Sequence, residues 1–170
     1  MIGEPDVNTE GNSSAFLSLL SWSEGTNRAA DPYRVCYGYR HTIIDLREHP
    51  AVTGEWRGEA LPDHRCKAAG FGPGCVSTAA GRYQLIRPTW ACVRKRLRLN
   101  DFGPESQDRA ALYLIEQRGA LEDVMYGRIK TAIQKCKPEW ASLPGAGYGQ
   151  PERGLDDLMA HYVSAGGSLA

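Results

Sequence analysis

The chain lacks any long hydrophobic run. Its longest nearly apolar stretch is Ala15 to Leu20, far below the ~20 residues that cross a bilayer, so no membrane-spanning helix is expected. It also lacks an excess of either charge: 20 Lys and Arg face 20 Asp and Glu. A dedicated nucleic-acid binder carries a basic surplus, so that class is disfavoured. The opening Met1-Ile-Gly-Glu-Pro-Asp6 is acidic and has no apolar centre, so no signal peptide is expected. Repeats and low-complexity tracts are missing as well. What is there is an ordinary globular composition, 42% hydrophobic and 24% charged over 170 residues, which argues against disorder and against fibres. One domain over residues 1–170 is expected, with residues 1–13 as a flexible tail.

Cysteine is present in an odd number: Cys36, Cys66, Cys75, Cys92 and Cys136. At least one thiol must therefore be free or pair outside the chain. Cys66 and Cys75 bracket a Gly/Pro-rich loop after His64. Three states compete for this pair: a local disulfide, free thiols, or a zinc site completed by His64 or Asp63. Zinc is the weakest, because no second ligand pair follows at a usual spacing.

Helical periodicity dominates the remainder. A helix capped by Ser14 carries Phe16, Leu19 and Leu20 and stops at Gly25. Pro88 opens a segment with Trp90, Val93 and Leu97 inward and Arg94, Lys95, Arg96 and Arg98 outward, most simply a solvated basic face. A helix after Pro104 carries Ala111, Leu112 and Ile115 and ends at Gly119; the next carries Ile129, Ala132, Ile133 and Cys136. The last carries Leu155, Leu158, Met159, Tyr162 and Val163 before Gly166-Gly167. Tyr33 to Tyr39 alternates in period two and is followed by Thr42 to Leu46, which predicts a small hairpin or a pair of strands. Residues 47–76 show no sustained period and read as a long irregular excursion. The fold class is α+β, mostly helical with a small sheet.

Three features could carry chemistry. Glu24 lies four residues beyond Leu20, on the apolar stripe and in the last helical turn. Burial and the negative helix terminus should both raise its pKa, which suits a general acid for glycosidic cleavage. The bland alternative is a cap or an ion pair with an arginine. The run Ser77 to Trp90 turns tightly through Ala80-Gly-Arg-Tyr-Gln84 into a Pro-initiated helix, and would present amides to a sugar chain. The run Trp140 to Gln150 surrounds Tyr148 with three glycines, which permits an unusual path that exposes one aromatic hydroxyl. Either run could equally be a structural connection.

Phe16-Leu17, Trp22-Ser-Glu-Gly-Thr26, Ala80-Gly-Arg-Tyr-Gln-Leu85 and Trp140-Ala-Ser-Leu-Pro-Gly-Ala-Gly-Tyr-Gly-Gln150 stand in one order. In this they resemble the bacteriophage lambda endolysin family. Ser106-Gln-Asp108, Arg118-Gly-Ala-Leu121 and Ala165-Gly-Gly167 extend the likeness over most of the chain from Ala15 onward. The resemblance implies a lysozyme-like fold whose small sheet lines a cleft. It implies a lytic transglycosylase that cuts the β-1,4 bond between N-acetylmuramic acid and N-acetylglucosamine without water, leaving a 1,6-anhydro ring. Glu24 would be the catalytic residue. Ala79 to Thr89 is also similar to a Gly-Leu-Met-Gln motif of cellular lytic transglycosylases, which places Gln84 in the cleft. Tyr148, Ser77, Gln150 and Tyr83 complete the expected substrate contacts. No metal or organic cofactor is implied. The implied partners are peptidoglycan strands and a separate holin-type protein for release from the host cytoplasm to the periplasm, with no nucleic acid, no stable membrane association and a monomeric state.

Two departures stand out: Arg34 replaces an Asp of the lambda member, and the excursion from Val52 to Cys75 is longer. A hydrolytic muramidase is the alternative activity, with Asp31, Asp45 or Glu48 as second carboxylate. A non-catalytic wall-binding protein is the alternative of another class.

Overall fold

The computed structural model describes residues 8–149 and 151–170. The first helix, α1 (Thr9–Glu24), begins upstream of the Ser14 expected to cap it. Asn8 is the cap instead: its side-chain oxygen accepts the Gly11 N–H at 3.0 Å, a donor that the first turn cannot satisfy internally. Residues 9–13 are thus helix and not tail. Asn12 anchors them from a buried position: its Nδ2 donates to the Met125 carbonyl at 2.9 Å, and its Oδ1 accepts the Ser168 N–H at 2.8 Å. The part of the expected tail before residue 8 lies outside the described residues. At its other end α1 stops as predicted, with Gly25 left-handed at φ +76° and its N–H closing on Ser21 and Trp22.

Phe16, Leu19 and Leu20 of α1 are fully buried. They sit in one core with residues of α4 (Arg87–Leu97), α5 (Pro104–Gln117), α7 (Ile129–Cys136) and α8 (Leu155–Ser164). A short helix that the apolar pattern did not reveal, α6 (Leu121–Met125), packs with α8 on α1. The predicted stripes hold for Trp90 and Val93, for Ala111 and Ile115, and for Ile129, Ala132, Ile133 and Cys136, all buried. Val163 is 49% exposed, since it lies one position, or about 100°, past buried Tyr162.

The hairpin expected between Tyr33–Tyr39 and Thr42–Leu46 does not form a ladder. Asp31 accepts the Tyr33 N–H and opens a tight turn, and Gly38 and Tyr39 both adopt positive φ. The extended path is broken twice, and only the isolated bridge Val35–Thr42 remains. The sheet lies instead inside the excursion, where β1 (Glu59–Ala60) pairs antiparallel with β2 (Val76–Ser77). Helices α2 (Pro50–Thr53) and α3 (Asp63–Ala68) complete this lip. A Cys66–Cys75 disulfide closes it. Asp63, weighed above as a zinc ligand, accepts the Gly74 N–H. His49 ties the lip to the body: buried, it accepts the Ala51 N–H through Nδ1 and donates from Nε2 to the Leu85 carbonyl at 2.9 Å.

Candidate active site

Glu24 emerges from the stripe of Phe16 and Leu20 at the end of α1 and is half-buried. The Ser142 hydroxyl donates to its Oε1 at 2.6 Å. With its one hydrogen committed to Glu24, Ser142 accepts a hydrogen bond from the Ser23 hydroxyl at 2.7 Å. Arg153 reaches the same place: its N–H donates to the Ser142 carbonyl at 2.9 Å, and its guanidinium lies 5.0 Å over the Trp22 ring. No ion pair engages Glu24 among the described residues. Burial pushes the Glu24 carboxyl up to about 7, against the opposing pull of Ser142 and of the Arg153 charge. An acid balanced near neutrality can release a proton to a leaving group and accept one back.

A groove of about 520 Å³ runs between the lip and the Trp140–Ala141 segment. Glu24 itself is not on its wall. The link is made by the chain: Ala141 lines the groove, and the next residue, Ser142, holds Glu24. Ser77, Gln84 and Tyr148 are brought together on the wall. Ser77 belongs to β2, opposite Glu59. Gln84, in a left-handed conformation at φ +51°, spends both amide hydrogens on the Gly81 and Val35 carbonyls at 2.9 and 3.1 Å. It fixes the turn and retains only its carbonyl oxygen for a ligand. The Tyr148 hydroxyl donates to the Pro138 carbonyl at 3.0 Å. Its loop is pinned by Glu152, which accepts the N–H groups of Gly145 and Gly147.

Tyr83 is set deeper than the other residues of the groove wall. Its side chain is fully buried and its hydroxyl donates to Asp108 at 2.6 Å, beside Arg82 and Tyr33. Tyr83 borders the groove as well, but its ring belongs to the core and its hydroxyl is committed to Asp108. Gln150 lies outside the described residues.

The acids considered as second carboxylates are occupied elsewhere. Asp31 pairs with Arg34 at 3.0 Å and Asp45 with Arg47 at 2.6 Å. Glu48 accepts Trp90 Nε1 at 2.6 Å and pairs with Arg94 at 3.0 Å. Arg34 also folds back onto the Ile43 and Ile44 carbonyls, both at 2.8 Å. The acid that does line the groove is Glu139, ion-paired with Arg118. The residues that sequence analysis missed are Ser23, Ser142 and Arg153. Ser142 and Ser23 lay inside runs already singled out, Trp140 to Gln150 and Trp22 to Thr26; nothing local marked Arg153.

Residues 14–169 match the Endolysin family. The chain is 43% identical over 163 residues to the endolysin of Escherichia phage P2, covering 96% of this chain and 98% of that one. It is also 43% identical over 155 residues to the endolysin of Escherichia phage lambda, covering 91% of each. Among solved structures, bacteriophage lambda lysozyme complexed with a chitohexasaccharide superposes with a TM-score of 0.79, at 38% identity and over the whole of both chains. A second lysozyme structure from bacteriophage lambda gives 0.74 at 36% identity, again over both whole chains. The fold is lysozyme-like, and Glu24 is joined to the groove through Ser142, next in sequence to the groove-lining Ala141. The chain belongs to the endolysin family, of the lambda type.

Proposed function

We propose that this endolysin acts on peptidoglycan as a lytic transglycosylase, cutting the β-1,4 bond between N-acetylmuramic acid and N-acetylglucosamine. The observation that carries the reading is Glu24, a carboxyl poised near pH 7 whose side-chain contacts are Ser142 and, through charge, Arg153. In the first step Glu24 donates its proton to the glycosidic oxygen as the bond to muramic C1 breaks. In the second, the C6 hydroxyl oxygen of the same sugar bonds to C1 and its proton passes to the Glu24 carboxylate, restoring the acid. One residue serves both steps because the nucleophile is already attached to the electrophile, at high effective concentration. Asp31, Asp45 and Glu48 each have a cationic partner away from the groove, which supports an intramolecular nucleophile over activated water.

Digestion in ¹⁸O-labelled water tests the chemistry. Transglycosylation leaves muramic ends that are unlabelled, non-reducing and lighter by one water than hydrolytic ends. One labelled oxygen in a reducing-end product would overturn the reading, and would turn attention to Glu139 as the acid on the groove wall. Clearing of a peptidoglycan suspension separates an enzyme from a wall binder. We read the working unit as a monomer that reaches the wall when a separate membrane-permeabilising protein releases it. No helix among the described residues is long and apolar enough to cross a membrane.

A further inference from the structure

The groove wall is cationic in a chain whose charges balance overall. Arg65, from α3 in the lip, and Arg87, at the start of α4, both line it. Neither has an acidic partner among the described residues. The acid on the wall, Glu139, is taken up by Arg118 and offers little neutralisation. Arg65 is held in place by the Tyr37 hydroxyl, which accepts from Nη1 at 2.8 Å, while its buried Nε has no hydrogen-bond partner. At Arg87 the first turn of α4 adds the positive end of a helix to the same wall.

We propose that Arg65 and Arg87 form an anion-recognising wall that receives a carboxylate carried on the muramic side chain of the glycan strand. This inference rests on the peptidoglycan-cleaving reading above and deepens it: the enzyme selects strands that bear carboxylates over neutral strands of the same sugars. Planar guanidinium groups suit this task because they meet a carboxylate with paired, charge-assisted hydrogen bonds. Two sources share that chemistry, the carboxylates of the stem peptide and the lactyl carboxylate exposed when the peptide is removed.

The test compares soluble strands bearing stem peptides with the same strands after their carboxylates are converted to amides by carbodiimide and ammonia. For the native enzyme, amidation is expected to raise KM about five- to tenfold with little change in kcat, the size expected for one or two charge-assisted contacts at a partly wet wall. In Arg65→Gln/Arg87→Gln the ratio of the two KM values falls towards one, and Arg65→Lys recovers part of it. Strands trimmed by an amidase keep only the lactyl carboxylate: retained selectivity assigns the contact to that group, and lost selectivity to the stem. An equal amidation effect in native and variant enzymes would overturn the proposal. If the double variant does not fold by circular dichroism, Arg87→Gln alone, at an exposed position, carries the comparison. Equilibrium binding of the same strands to Glu24→Gln reads selectivity without cleavage. Preference for charged strands there, beside an inactive native enzyme, would fault the cleavage reading and not the wall.

Discussion

At Glu24 two influences oppose each other, and the balance decides both activity and stability. Burial raises its pKa to about 7 from 4.5, while Ser142 and Arg153 pull it down. The native state therefore retains a proton that the unfolded chain releases between those values. The stability this group contributes is complete below about pH 4.5 and is lost as pH rises through about 7. Glu24→Gln removes that loss: at pH 8 the variant should be more stable than the native protein by about 2–3 kcal/mol, with the gap closing near pH 4, as thermal melts would show. The same variant should lose about 10²–10⁴-fold or more in lytic rate, and substantial activity in a folded Gln variant would refute the assignment. Ser142→Ala removes the hydroxyl that lowers the pKa. The alkaline limb of its pH–rate profile should move to higher pH, and Ser142→Thr should bring it back. An unmoved limb would mean that Ser142 shapes the loop without tuning the acid.

Elements position these residues by their ends more than by their lengths. Gly25 stops α1 so that Glu24 falls in its last turn, and the next residue, Thr26, donates to the Arg82 carbonyl at 2.7 Å. Helix α1 is thereby fastened to the turn that carries Gln84. That turn needs glycine at Gly81, where φ is +79° and a Cβ would lie 2.2 Å from Gln107 Oε1. The lip is built differently, from two short helices and a two-residue ladder, with few buried side chains of its own. Its closure depends on the Cys66–Cys75 crosslink, nine residues apart in sequence. Constraining so short a loop contributes about 2–3 kcal/mol. Denaturant unfolding with and without reductant should show a loss of that order, with the fastest hydrogen exchange gained in residues 61–77. Equal stability in both conditions would show that the lip holds its shape without the bond.

Across the whole molecule, the two ends of the chain are joined to its middle. Buried Asn12 accepts from Ser168 and donates to Met125, and Gly127 accepts the Ala170 N–H. A second knot ties Tyr33, Arg82 and Tyr83 to Asp108, with Tyr33 and Tyr83 both donating to its carboxylate. These bonds link segments that no local pattern relates. Asn12→Ala strips two buried partners at once and should cost about 2–4 kcal/mol, while leaving KM unchanged because the site lies at the other end of α1. A melting temperature equal to that of the native protein would show that Asn12 is not a clasp.

The amino-acid sequence by itself determined the helical stripes of α1, α4, α5 and α7, their stops at Gly25 and Gly119, and the place of Glu24 on the buried side. These follow from a period of 3.6 residues and from the backbone limits of glycine and proline, which act locally. It also placed Ser77, Gln84 and Tyr148 in runs that do converge on one groove. The tertiary structure decided which hydrogen-bond partners each polar group meets. Ser142 lies 118 residues from the Glu24 it contacts, and Arg153 lies farther still. Tyr83 and Gln84 are neighbours, yet one ring enters the core while the other side chain braces the turn. The sheet formed within the irregular excursion because pairing needs two extended segments brought together, and the positive φ values at Gly38 and Tyr39 denied that to the alternating stretch. Periodicity records which face of a segment is apolar. What satisfies a buried carboxyl is set by chain packing from far away, and no local pattern carries it.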